Sequence, residues 1–132
     1  MKPETLGHIE AAGRNREIAW QLFSNSRQPG LTVRPFEWVA VVTFYSAVHY
    51  ANAYIWELHG RKVRHPQRRQ FIAAHPPLMG HLADYVQVEA HAWAARYTPG
   101  HRLSAQDARE LLTQNLALFQ TTICRELGII PP

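Results

Sequence analysis

One stretch constrains the fold of this chain more than any other. Trp38 to Trp56 is a long apolar run rich in aromatic residues, with His49 and Asn52 inside it. Exposed, such a surface would aggregate, so the run belongs in a core. It is too long for a strand, and Ala47, Ala51 and Ala53 favour helix over the β-branched cluster Val39–Thr43. Pro35 suits the first turn of this helix, and Gly60 suits its C-cap after His59. The helix is apolar on most sides and therefore predicts a central position in an all-α bundle. Directly after it, five cations occupy nine positions: Arg61, Lys62, Arg64, Arg68 and Arg69. Unpaired cations do not stay buried, so this segment marks a solvated or phosphate-facing end of the bundle.

The other helices follow from periodicity and its interruptions. A first helix spans about 3–23, with Ile9, Ile18, Ala19, Leu22 and Phe23 at helical spacing; Ser24 to Gly30 reads as a loop. Pro66 opens a short helix through Ala74, and His75-Pro76-Pro77 breaks it. A longer helix follows from about Leu78 to Arg96, ended by the turn Thr98-Pro99-Gly100. Ser104 and Asp107 form a capping-box pattern for a last helix, about Ala105 to Leu127. Gly128 and Pro131 prevent its continuation. The expected architecture is one domain over 1–132, an up-and-down four-helix bundle with a short additional helix.

Composition narrows the function. The single Cys124 excludes an intrachain disulfide and a four-cysteine zinc site, and it fits a reducing cytoplasm. The N-terminus has no signal-peptide core, and no run of about 18 apolar residues is present. The net charge of +4 and pI of about 9.6 favour an anionic partner. No glycine-rich phosphate loop, Ser-His-Asp ordering or zinc-protease motif is found, and no cofactor is called for. His81 and His91 lie roughly 15 Å apart along one helix, too far to share an ion, so no metal site is expected.

Three constellations remain. Tyr45, His49, Asn52 and Trp56 repeat along one face of the central helix. With Asn115 on the last helix they form either satisfied core hydrogen bonds or a pocket lining. Arg64, His65, Arg68 and Arg69 can hold phosphate at the start of the short helix. Arg96 near a helix C-terminus, followed by Tyr97 and His101, has a sufficient role in complementing the helix dipole, and a phosphate role if both groups turn to one anion.

In this order the residues resemble the HEPN superfamily (higher eukaryotes and prokaryotes nucleotide-binding), in particular its small prokaryotic members. The resemblance rests on the central helix Phe44-Tyr45-Ser46-Ala47-Val48-His49-Tyr50 with Ala53 and Tyr54, on the His-x-x-Arg element His65-Pro66-Gln67-Arg68, and on Tyr85 followed by Ala95-Arg96-Tyr97. It implies a bundle that usually dimerises. Many members are metal-independent endoribonucleases of toxin–antitoxin and antiviral systems. Others bind a nucleotide or a partner protein without cutting.

In active members an Arg and a His separated by four to six residues act on the scissile phosphate. Arg96/His101, Arg69/His75 and Arg68/His75 meet that spacing here. Random placement gives about two such pairs, so position selects among them. Arg96/His101 lies near the start of the last helix, although Thr98-Pro99-Gly100 replaces a helical spacer.

On the ribonuclease reading, His101 or His65 is the general acid/base for attack by the 2′-hydroxyl, with Arg96 and Arg68 stabilising phosphorane charge. On the binding reading, His65, Arg64, Arg68, Arg69 and Arg96 grip an RNA or nucleotide phosphate while Tyr45 or Tyr97 stacks. A third reading is an antitoxin-like or scaffold partner of another protein.

Overall fold

The computed structural model describes residues 1–31 and 34–131. All regular structure among them is helical. Six helices follow one another: α1 (Pro3–Ser24), α2 (Phe36–His59), α3 (His65–Ala74), the single turn α4 (Pro76–Met79), α5 (Leu82–Tyr97) and α6 (105–127). No helix among the described residues is long and apolar enough to cross a membrane.

The α2 helix is central, as its apolar girth predicts. It buries residues all around its circumference, from Phe36 and Val39 to Tyr54 and Ile55, and packs against α1, α3, α5 and α6. Gly60 closes it in the left-handed conformation, at φ 62°, which costs a residue without Cβ least. The core around it is built from Tyr50, Ile72, Leu78, Tyr85, Val88 and Phe119, with the leucines of α6.

The α1 helix docks differently. The only residues it buries fully are small: Thr5, Ala12 and Ala19. Small side chains let the two backbones approach closely, and polar contacts show the pair to be antiparallel. Glu57 of α2 accepts from Thr5 Oγ1 at 2.7 Å, His49 meets His8, and Ser46 Oγ donates to the Ala12 carbonyl at 2.8 Å.

Two features depart from the expected elements. The stretch after Ala74 is not simply broken by His75-Pro76-Pro77. The two prolines occupy the first turn of α4, where a missing N–H costs nothing, and α5 begins only at Leu82. Second, α6 is not a uniform α-helix. Ala105–Glu110 and Ala117–Leu127 flank a π-helical stretch, Leu111–Leu116. The buried stripe Ala108, Leu111/Leu112, Leu116, Phe119/Gln120, Ile123 repeats about every 3.75 residues, wider than the 3.6 of an α-helix. The wider π turns keep that stripe facing the core. The capping box at its start forms as expected: Ser104 Oγ accepts from the Asp107 N–H at 3.0 Å, and Asp107 accepts in return from the Ser104 N–H.

Candidate nucleic-acid groove

The α5 helix carries two apolar stripes. Tyr85, Val88 and Ala92 face the core. Val86, Ala90, Trp93 and Tyr97, at i, i+4, i+7 and i+11, form a second stripe that stays outside. Trp93 and Tyr97 are 59% and 58% exposed, far more than their apolar area favours. Across from them α2 exposes Trp38 (62%) and Tyr45. Trp38, Trp93 and Tyr97 border two adjoining clefts. One, of about 640 Å³, lies between α2, α3 and α5 and is walled by Phe44, His65, Arg69, Glu89 and Trp93. The other, of about 850 Å³, lies between the start of α2 and the α5–α6 turn and is walled by Arg34, Trp38, Tyr97, His101 and Arg102.

Arg96 belongs to the walls of both. Its Nη1 donates to the Tyr45 hydroxyl at 3.2 Å, and its guanidinium carbon lies 5.1 Å from the Tyr97 ring centre and 5.9 Å from that of Tyr45. The rings restrict the side chain, with Trp93 and Tyr97 packed 4.5 Å apart behind it. No carboxylate pairs with Arg96 among the described residues, and its Nε is buried without a hydrogen-bond partner. An unpaired, oriented cation between stacking surfaces is suited to a phosphate flanked by bases.

His65 enters the first cleft from the start of α3, stacked on Phe44 with ring centres 5.7 Å apart. Its Nδ1 lies 2.7 Å from Arg68 Nη1. Guanidinium nitrogens only donate, so Nδ1 accepts and the ring proton sits on Nε2. Burial, then the neighbouring Arg68, holds the imidazole below its ordinary pKa, with Arg96 and Arg69 adding to this and Glu89 opposing it. His65 is therefore a neutral hydrogen-bond donor at pH 7. Arg69 is half exposed and ion-paired to Glu89 at 2.7 Å, which ties α3 to α5 across the cleft.

Arg68 has a different place from the phosphate-facing one expected of it. It is 5% exposed. Nε donates to Asn52 Oδ1 at 2.9 Å, Nη1 to His65, and Nη2 to the Val63 carbonyl at 3.1 Å. Its donors are thus turned inward, where they fix α3 on α2 and set the tautomer of His65. Arg64 is exposed at the N-cap of α3, and its backbone N–H is held by Gln67 Oε1. Arg61 and Lys62 are exposed outside both clefts. Of the basic segment, then, only His65 and Arg69 reach a cleft wall.

The polar stripe of α2 is divided among different neighbours and lines no common pocket. Tyr45 meets Arg96, His49 meets His8 of α1, and Asn52 meets Arg68. Asn115 lies in the π stretch and donates to Asp84 Oδ1 at 3.1 Å, while His81 bridges Asp84 and Thr122. No group of three or more metal-ligating side chains comes together among the described residues. Arg96 and His101 do share a cleft, and His101 Nε2 is buried without a partner.

Sequence reasoning passed over Trp38, Trp93, Arg34, Arg102 and Glu89. The second stripe of α5 was the available signal for Trp93. Comparison with family models, with curated proteins and with solved structures finds no match.

Proposed function

We propose that this HEPN-like chain recognises single-stranded RNA or a nucleotide in the groove along α5. The observation that carries the reading is Arg96, an unpaired guanidinium held between Tyr45 and Tyr97 where two clefts meet. Trp93 and Trp38 offer faces for bases on either side of it, and Arg34 and Arg102 offer charge along the strand path. Interleaved cations and aromatic faces are what binding a flexible strand requires: charge follows the backbone and rings stack on any base. A duplex hides its base faces and fits this groove less well.

The test is fluorescence anisotropy of a labelled single-stranded RNA over a salt series, in EDTA. Affinity should fall as salt rises, and Arg96→Ala should weaken binding and flatten the salt slope by about one counterion. Binding that ignores both salt and Arg96→Ala overturns the reading.

A second reading, metal-independent RNA cleavage, is favoured by one further observation: His101, with its unpartnered Nε2, shares a cleft with Arg96. In that case Arg96 stabilises phosphorane charge and His101, or His65 in the adjoining cleft, moves the proton. Strand scission in EDTA, lost in folded Arg96→Ala and His101→Ala variants, distinguishes cleavage from binding. A groove of this composition also suits a protein partner, and competition between RNA and that partner for the Trp93 face would show it.

A further inference from the structure

The seam between α1 and α2 is held by a short antiparallel ladder. At one end Glu57 takes hydrogen bonds from Thr5 Oγ1 and from the Lys2 backbone N–H. At the other, Ser46 reaches the Ala12 carbonyl. Between them His8 Nδ1 faces His49 Nδ1 at 3.0 Å, with ring centres 5.2 Å apart. This middle rung does not belong to the groove. It sits in the half of α1 with the least apolar anchoring: Trp20, Leu22 and Phe23 pack on the core near the C-terminal end, whereas Thr5, Ile9 and Ala12 are all that the N-terminal half contributes.

The contact works with one proton between the two Nδ1 atoms, one ring donating and the other accepting. A first added proton goes to the outer nitrogen of the donor ring and leaves the contact intact. A second has to go to the accepting Nδ1, and then two N–H groups of two cations face each other at hydrogen-bond distance. The surroundings make this worse. The charged groups acting on the pair are Arg14 on α1, Lys62 after α2 and Arg68 on α3, all positive. The acid within the ladder, Glu57, is already held by Thr5 and Lys2.

We propose that the His8–His49 contact is a proton-operated latch, closed when the pair shares one proton and opened by acid, releasing the N-terminal half of α1 from α2. Both imidazoles are held below their ordinary pKa, by burial first, then by Lys62 and Arg68 for His8 and by His8, Arg68 and Arg14 for His49. Such groups support the docked state fully above the unfolded value of 6.5 and lose that support progressively as pH falls below it. The latch therefore opens on the acid side of neutrality, with the C-terminal half of α1 still anchored.

Amide hydrogen exchange on the full chain at pH 7.5 and pH 5.0, corrected for intrinsic exchange rates, tests this. In the wild type, protection of residues 6–12 should fall at least about tenfold on acidification, while residues 15–23 change by less than about threefold. His49→Asn, whose side-chain amide can replace the Nδ1 contact without titrating, should remove the fall; His8→Asn should do the same and serves if the first variant does not fold. His65→Gln should retain it. Unchanged wild-type protection overturns the latch. So does an equal fall in the His8→Asn or His49→Asn chain, or loss of the response in His65→Gln.

Discussion

Replacing Arg68 with Met tests how the first cleft is organised. The guanidinium is nearly fully buried, and the hydrogen bonds described for it go to neutral acceptors: Asn52 Oδ1, His65 Nδ1 and the Val63 carbonyl. Methionine keeps most of the volume and removes the donors. His65 is exposed and regains water cheaply, while Asn52 and Val63 are half-buried and lose their partners. Two weakened acceptors cost about 1 kcal/mol each or somewhat more, and relief from burying an uncompensated cation offsets part of that. The net expectation is a loss of about 1–3 kcal/mol, read from urea unfolding at pH 7.5.

The same change has an electrostatic signature that a purely structural role would not produce. Arg68 is the second cause, after burial, of the lowered His65 pKa. In Arg68→Met that pKa should rise toward the ordinary value without reaching it, because burial remains. In the wild type, a depressed histidine supports the fold above pH 6.5 and loses that contribution as pH falls. The variant should therefore show a shallower loss of stability below pH 6.5. NMR titration of the His65 ring measures the shift directly. A His65 pKa that stays put or falls, in a chain that has lost less than about 0.5 kcal/mol, refutes the reasoning.

Three further outcomes follow from the packing. Trp93→Ala removes a mostly exposed side chain, so stability should stay within about 0.5 kcal/mol while RNA affinity drops by about 1–3 kcal/mol, measured by thermal melting and anisotropy. Asp84→Ala leaves Asn115 in the π stretch and His81 without their acceptor and should cost about 1–2 kcal/mol in urea unfolding. Ala12→Leu pushes a larger side chain into the close α1–α2 seam and should destabilise by about 1–3 kcal/mol, whereas the exposed Gln21→Leu should not.

The helices were legible where the chain states its own boundaries. Pro35, Gly60, Pro66, Ser104 and Gly128 mark ends through backbone constraints that act locally, and the structure keeps each of them near an end. The α4 turn and the π stretch were less so. In both, the conformation answers to where neighbouring helices present their surfaces, and that depends on residues far along the chain. Among site residues, Arg96 stood out by position. The inward turn of Arg68 could not be read, because an arginine whose partners are an amide, an imidazole and a carbonyl leaves no acidic residue at a telling spacing. His8 and His49 are 41 positions apart and meet only through the register of two helices. Trp93 was readable in principle, since a second apolar stripe on a helix already committed to the core has to find another partner.

The groove itself is tested most directly by the tryptophan indole N–H signals in a ¹H–¹⁵N spectrum, followed as a short single-stranded RNA is added. Trp38 and Trp93 border the two clefts, Trp20 lies against a separate hollow near Arg27 and Arg109, and Trp56 sits on α2 beside the Lys2 contact. The account predicts saturable shifts at Trp38 and Trp93, together with the Arg96 Nε–H, while Trp20 and Trp56 hold still. RNA that binds and moves Trp20 or Trp56 but leaves Trp38 and Trp93 unmoved would contradict it.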